Sequence, residues 1–170
     1  MLNIVFWPAP VLNVKSEPVT TFDDELGDLV KAMFDTMQQS GGIGLAANQV
    51  GITKRLLVVD TMDVGGTLRT EMINPVILDS SEVEKNREGC LSFPNVFINV
   101  ERHKHITVAY QDMNGINNIK RLDGIDSICV QHELDHINGI TFYDRLGNVG
   151  KHLHANKFNK LKKRINTYGK

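Results

Sequence analysis

The sequence predicts an α+β domain, with antiparallel or mixed β-sheets packed around a central helix, an N-terminal amphipathic helix and a C-terminal helix. Three observations predict it. Apolar residues recur at helical spacing from Asp23 to Gln39; strand-like runs alternate with turn residues from Arg55 to Leu122; a second helical stretch, Asp126 to Asn138, follows them. The 170 residues, 41% hydrophobic and 23% charged, suit one domain of ordinary globular composition. A net charge of −1 excludes a molecule built as a whole to coat nucleic acid. No apolar run nears the roughly 20 residues of a membrane span, and Met1 to Pro8 lacks the basic start of an export signal. The expectation is a soluble, cytoplasmic protein whose two cysteines, Cys90 and Cys129, are reduced thiols free for metal or packing.

Pro8, Pro10 and Pro18 make residues 1–20 extended and irregular, with their apolar side chains laid on a core formed elsewhere. Leu26, Leu29, Val30, Met33, Phe34 and Met37 form the apolar stripe of the first helix, capped by Thr21 or Asp23 and stopped at Ser40-Gly41-Gly42. Gly42 to Gln49 is rich in Gly and Ala. No leading strand or third glycine supports a phosphate cradle, so the small residues let the backbone approach a substrate or another segment. Arg55 to Asp60 is a short buried strand and Asp63 to Gly66 a turn. Leu68 to Leu78 is extended and broken at Asn74-Pro75. Asn95 to Arg102 and His105 to Gln111 read as an antiparallel pair, and Asp112 to Gly115 turns into a strand over 117–122. On the second helix Ile125, Ile128, Cys129, His132, Glu133 and His136 crowd one side, and Gly139 ends it. Beyond Tyr143-Asp144 the composition shifts: residues 146–170 hold Lys151, Lys157, Lys160, Lys162, Lys163, Arg164 and Lys170 and no acid. Val149, Leu153, Phe158, Leu161 and Ile165 give this tail one apolar edge. It is read either as a solvated helix or as a dock for a polyanion such as RNA. Residues 1–148 are therefore taken as a single catalytic unit and 149–170 as a basic helix or tail of the same domain.

The second helix carries H-E-x-x-H. At roughly 3.6 residues per turn, His132 and His136 stand one above the other, about 40° apart. So placed they can hold one divalent metal, with Glu133 in reach of its water. A catalytic site needs a third ligand and an open position. The candidates are Cys90, Cys129, His103, His105 and the carboxylates. Cys129 would crowd the site from below and serves better as a small apolar wall, while His103 and His105 read as a surface pair. Cys90, in the turn-like Glu88-Gly89-Cys90-Leu91-Ser92, can approach from a separate element.

Three blocks, Gly42 to Gln49, Glu88 to Ser92 and Gln131 to Gly139, resemble in order and spacing the signature motifs of the peptide deformylases. The opening Pro8-x-Pro10-x-Leu12 and Glu17-Pro18-Val19 are similar too, so the likeness covers nearly the whole chain. The resemblance implies hydrolytic removal of the formyl group from N-formylmethionyl nascent peptides. Cys90, His132 and His136 would hold the metal, and Glu133 would serve as general base and then acid. Gln49 and the Leu91 N–H would stabilise the oxyanion. It implies Fe(2+), with Zn(2+), Ni(2+) or Co(2+) as substitutes. The methionine pocket would be walled by Ile43, Gly44, Ile128, Cys129 and the His132 ring, and the backbone at Ile43, Gly44 and Gly89 would pair with the peptide. Glu88 and Arg102 would form an ion pair behind Cys90, and Asp135 would orient neighbours on its own helix. The tail fits ribosome docking; neither membrane nor DNA is an expected partner. Ile137, where leucine is usual, conserves volume. Gly41, at an often acidic position, and Phe97, where some members carry arginine, alter the entrance.

Two other readings compete. A zinc endopeptidase shares H-E-x-x-H, but a metzincin-like site needs a further histidine soon after His136, and the next is His152. A structural metal domain that binds RNA through its tail would need no Glu133.

Overall fold

The computed structural model describes residues 1–168, with side chains to 165; Lys170 of the basic tail lies outside the described residues. The first helix, α1 (Asp24–Gln39), opens where Asp23 accepts a hydrogen bond from the Leu26 N–H at 2.9 Å, so the cap is Asp23 and not Thr21. Its stripe of Leu26, Val30, Met33 and Met37 is buried. Asp23→Ala is expected to cost about 1 kcal/mol, read as a lower urea midpoint at unchanged m-value.

Five strands, β1 (Gly44–Ala46), β2 (Leu56–Asp60), β3 (Arg69–Glu88), β4 (Ile98–Gln111) and β5 (Asn117–Asp123), make one sheet in that order. Every neighbouring pair is antiparallel. β2 shows why its sequence is continuously apolar. Leu56 and Val58 point into the cluster with α1, while Leu57 and Val59 point into the cluster around the second helix, α2 (Gly124–Ile137). From residues 1–20, Leu12 and Val19 are buried in the body, as expected of an irregular opening laid on a core.

The long hairpin corrects two expectations. β3 is not broken at Asn74-Pro75 and does not stop near Leu78. The register shifts between Ile73 and Val76, Asn74 takes a φ of 52°, and its amide bonds the backbone of Val19, so the proline is absorbed in a bulge. The segments 95–102 and 105–111 are not partners either: residues 98–111 run in line as the single strand β4. Its polar middle stays extended because β3 pairs with it along nearly its whole length and β5 from His105 onward, and pairing on both sides outweighs local preference.

α2 lies across one face of the sheet, where Val130, Leu134 and Ile137 meet Leu57, Val59, Ile106 and Val108. The expectation of one buried side falls short, because Cys129 to Ile137 are all buried. The N-terminal segment covers the end of the helix: Ser16 N–H donates to Ile137 O at 2.8 Å, and a Cβ on Gly139 (φ 75°) would fall 2.8 Å from Asn13 O. A short helix, α3 (Phe142–Arg145), leads to α4 (Asn148–Tyr168). Phe158 and Leu161 of α4 are buried with Phe93, Val96 and Phe142 in a third cluster, against which Trp7 packs. Val149 and Leu153, placed on the same apolar edge from sequence, are 75% and 73% exposed. Nine residues at about 100° each set Val149 about 180° from Phe158. No helix among the described residues is long and apolar enough to cross a membrane.

Candidate active site

Cys90 follows the end of β3, in a turn closed by the Phe93 N–H to Cys90 O bond of 2.9 Å. α2 brings His132 and His136 to it. Cys90 Sγ lies 3.2 Å from His136 Nε2, which lies 3.3 Å from His132 Nε2. These three donor atoms fall within 4.8 Å of one another, in the one such group of three found among the described residues. Nitrogens bound at about 2.0–2.1 Å in a tetrahedron sit roughly 3.3 Å apart, so the spacing fits a shared ion. One thiolate and two imidazoles are also a borderline-soft set that suits a first-row divalent metal. Cys129 stands outside the group: its thiol donates to Ile43 O at 3.4 Å, and burial pushes its pKa well up. His105 also lies elsewhere, bonded to Asp123 on β5.

The histidines are held from behind. His132 Nδ1 donates to Glu88 Oε2 at 2.8 Å, leaving Nε2 to face Cys90. Arg102 grips the same carboxylate with two bonds of 2.7 and 2.9 Å, and its remaining arm bonds Asp135. Burial opposes the Glu88 charge, but hydrogen bonds from His132 and Arg102 and their charges outweigh it and hold the pKa at about 2. Asp135 does not orient neighbours on its own helix, as the sequence had implied. It links Arg102 on β4 to Arg145 on α3, which adds a 2.8 Å bond. Arg102→Leu would leave the buried Glu88 and Asp135 carboxylates short of a cation. It is expected to cost about 3–5 kcal/mol in urea unfolding, and Arg102→Lys to recover only part, because the fork is lost.

In front of the donors opens a cavity of about 490 Å³. Ile43, Gly44, Gly89, Ile128 and Cys129 line it together with His132. Gly44 makes room there: a Cβ would fall 2.8 Å from Cys129 Sγ and 2.9 Å from Glu133 Cδ. Glu133 is buried with Oε2 unpartnered among the described residues, and burial raises its pKa to about 7. Gln49 is turned by the Ala46 N–H, which donates to its Oε1 at 2.8 Å. Its Nε2 therefore points at Cys90 Sγ, 3.4 Å away, and Ser92 Oγ, 3.2 Å away. The Leu91 N–H beside them has no hydrogen-bond partner among the described residues. The arrangement offers a metal-capable triad, an unpaired carboxylate, the Gln49 amide and an unpartnered Leu91 N–H around one cleft.

The model of the family described as polypeptide deformylase matches residues 1–152. The chain belongs to that family. A peptide deformylase of Brucella suis is 40% identical over 160 residues, 93% of this chain and 91% of the relative. One of Aquifex aeolicus is 39% identical over 163 residues, 95% and 96% of the two chains. Among solved structures, peptide deformylase from Plasmodium falciparum is 40% identical, superposes with a TM-score of 0.89 and covers 99% of both chains. Its α+β fold and this one are alike, and the chain is an enzyme of this hydrolase family.

Seen as a deformylase, the chain has working parts its sequence concealed. Asn48 Nδ2 donates to His136 O, tying β1's following turn to α2. Phe142 sets its ring 6.1 Å from that of His132. Arg145 completes the charge chain behind Glu88. None of these pairs shares a local spacing, since 88, 10 and 10 residues separate them. No periodic signal points to them.

Proposed function

We propose that the chain removes the formyl group from the N-terminal formylmethionine of nascent polypeptides, releasing formate and a free α-amine. The observation that carries this reading is the convergence of Cys90 Sγ, His132 Nε2 and His136 Nε2 at a cavity that also holds Glu133 and Gln49. Cys90, His132 and His136 would hold one divalent ion, Fe(2+), with Zn(2+), Ni(2+) or Co(2+) as substitutes. When bound, such an ion makes water more acidic and draws charge from a carbonyl oxygen. Glu133 Oε2, buried and unpartnered, takes the proton of the attacking water and then delivers it to the leaving nitrogen. Gln49 Nε2 and the Leu91 N–H donate to the oxygen on which charge develops. Ile43, Gly44, Ile128 and Cys129 enclose the methionine side chain, and the backbone at Gly44 and Gly89 pairs with the extended peptide.

Residues 1–148 carry this chemistry in our reading. The segment 149–170 is a helix of the same domain, which the burial of Phe158 and Leu161 supports. Exposed Lys160, Lys162 and Arg164 on α4 support docking to ribosomal RNA, and two free thiols suit the cytoplasm. Anaerobically purified chain is expected to release formate from formyl-Met-Ala-Ser and to leave acetyl-Met-Ala-Ser whole. Cleavage of a long blocked peptide without formate would return it to the endopeptidases. Iron-loaded enzyme is expected to lose activity in air faster than nickel-loaded enzyme, through thiolate oxidation; equal half-lives would count against iron.

A further inference from the structure

Arg87 and Phe97 meet at the mouth of the cavity, and both line it. Arg87 lies opposite Asn99 across the hairpin of β3 and β4, so the residue two before Asn99 is its diagonal neighbour on the same face. The guanidinium carbon sits 5.2 Å from the centre of the Phe97 ring. Phe97 is 48% exposed, a large ring left in water at the lip. Gly89 lets it lie close, because a Cβ there would fall 2.8 Å from the ring. Lys157 of α4 adds a second cation at this lip, with Nζ 3.4 Å from Phe97 O.

The charges around the cavity are unequal in availability. Glu88 is committed to His132 and Arg102, and Glu133 is 4% exposed in the interior. Arg87 is exposed, and its guanidinium has no ion-pair or hydrogen-bond partner among the described residues. A guanidinium that lies over a ring and bonds no other side chain leaves its five N–H groups for a carboxylate. An extended peptide advances about 3.3 Å per residue, so the one or two residues after a bound methionine reach the lip.

We infer that Arg87, lying over the Phe97 ring, selects formylated peptides carrying an acidic side chain at the first or second residue after methionine. This rests on the deformylation reading above and names the substrate class of that same site. A carboxylate there accepts a paired hydrogen bond from the guanidinium, whereas an ammonium meets like charge from Arg87 and Lys157.

The test is kcat/KM of the metal-loaded enzyme for formyl-Met-X-Ser and formyl-Met-Ala-X, with X as Glu, Gln or Lys. At low salt Glu is expected to exceed Lys by about tenfold at one of the two positions, attraction and repulsion each supplying a few-fold. The ratio should approach one in about 1 M salt, a readout that needs no variant. Arg87→Gln should flatten the series, Arg87→Glu should invert it, and Phe97→Ala should narrow it by loosening the guanidinium. Circular dichroism and metal content check that each variant is folded and loaded. A wild-type ratio within twofold, or a ratio kept in Arg87→Gln, overturns the inference and leaves deformylation standing. Absence of formate from every peptide overturns both.

Discussion

Cys90→Ala is expected to purify with almost no metal and to lose deformylase activity with it. His132 and His136 come from one helix, one turn apart, and by themselves bind an ion from one side only. The thiolate closes the site from a different element, and it brings the negative charge that makes the donor set suit a divalent cation. Outer partners of metal ligands typically change affinity by about 10–100-fold, so loss of a ligand itself should exceed that range. The turn should keep its shape, since the Phe93 N–H to Cys90 O bond does not involve the sulfur. Elemental analysis is the measurement, with Cys129→Ser as the companion: its sulfur faces Ile43 O outside the triad, and its metal should stay near one per chain. Full metal in Cys90→Ala would remove the triad from the account.

The second large effect is expected at Glu133. Glu133→Ala and Glu133→Gln should lower kcat/KM by about 10²–10⁴, the usual worth of a positioned proton carrier, with metal content unchanged. Stability should move the other way. Glu133 is a buried acid with an unsatisfied oxygen, and burial of a polar group without a partner costs free energy. Glutamine or alanine relieves the charge, so a higher urea midpoint beside a collapsed turnover is the expected signature. Such opposition is what a site that holds strain for function predicts. Retained turnover with bound metal would assign the proton transfers to another group.

How far the sequence reached depended on the range of each interaction. The α1 stripe and its acidic cap, the Asp112 to Gly115 turn, the end of α2 at Gly139 and the i, i+4 histidines are all written within one or two helical turns or one hairpin. Periodicity reads such features because a helix or strand repeats its geometry regardless of what surrounds it. The strand boundaries at Asn74-Pro75 and around His103 were misread for the complementary reason. There the ladder partners on β3 and β5, not the local residues, decide the conformation.

By itself, then, the order of residues determined the α+β class, the two principal helices and the chemical vocabulary of the site: a thiol, two imidazoles and a carboxylate at readable spacings. Folding decided the rest. It brought the sulfur of Cys90, already preferred to Cys129 from the sequence, up to the two rings, extended the expected Glu88–Arg102 pair through Asp135 to Arg145 as one buried chain, and laid Arg87 over Phe97 at the lip. These contacts join residues 10 to 46 positions apart. Only closing the sheet and seating α2 against it brings their charges and rings within reach, and nothing periodic in the chain encodes that closure.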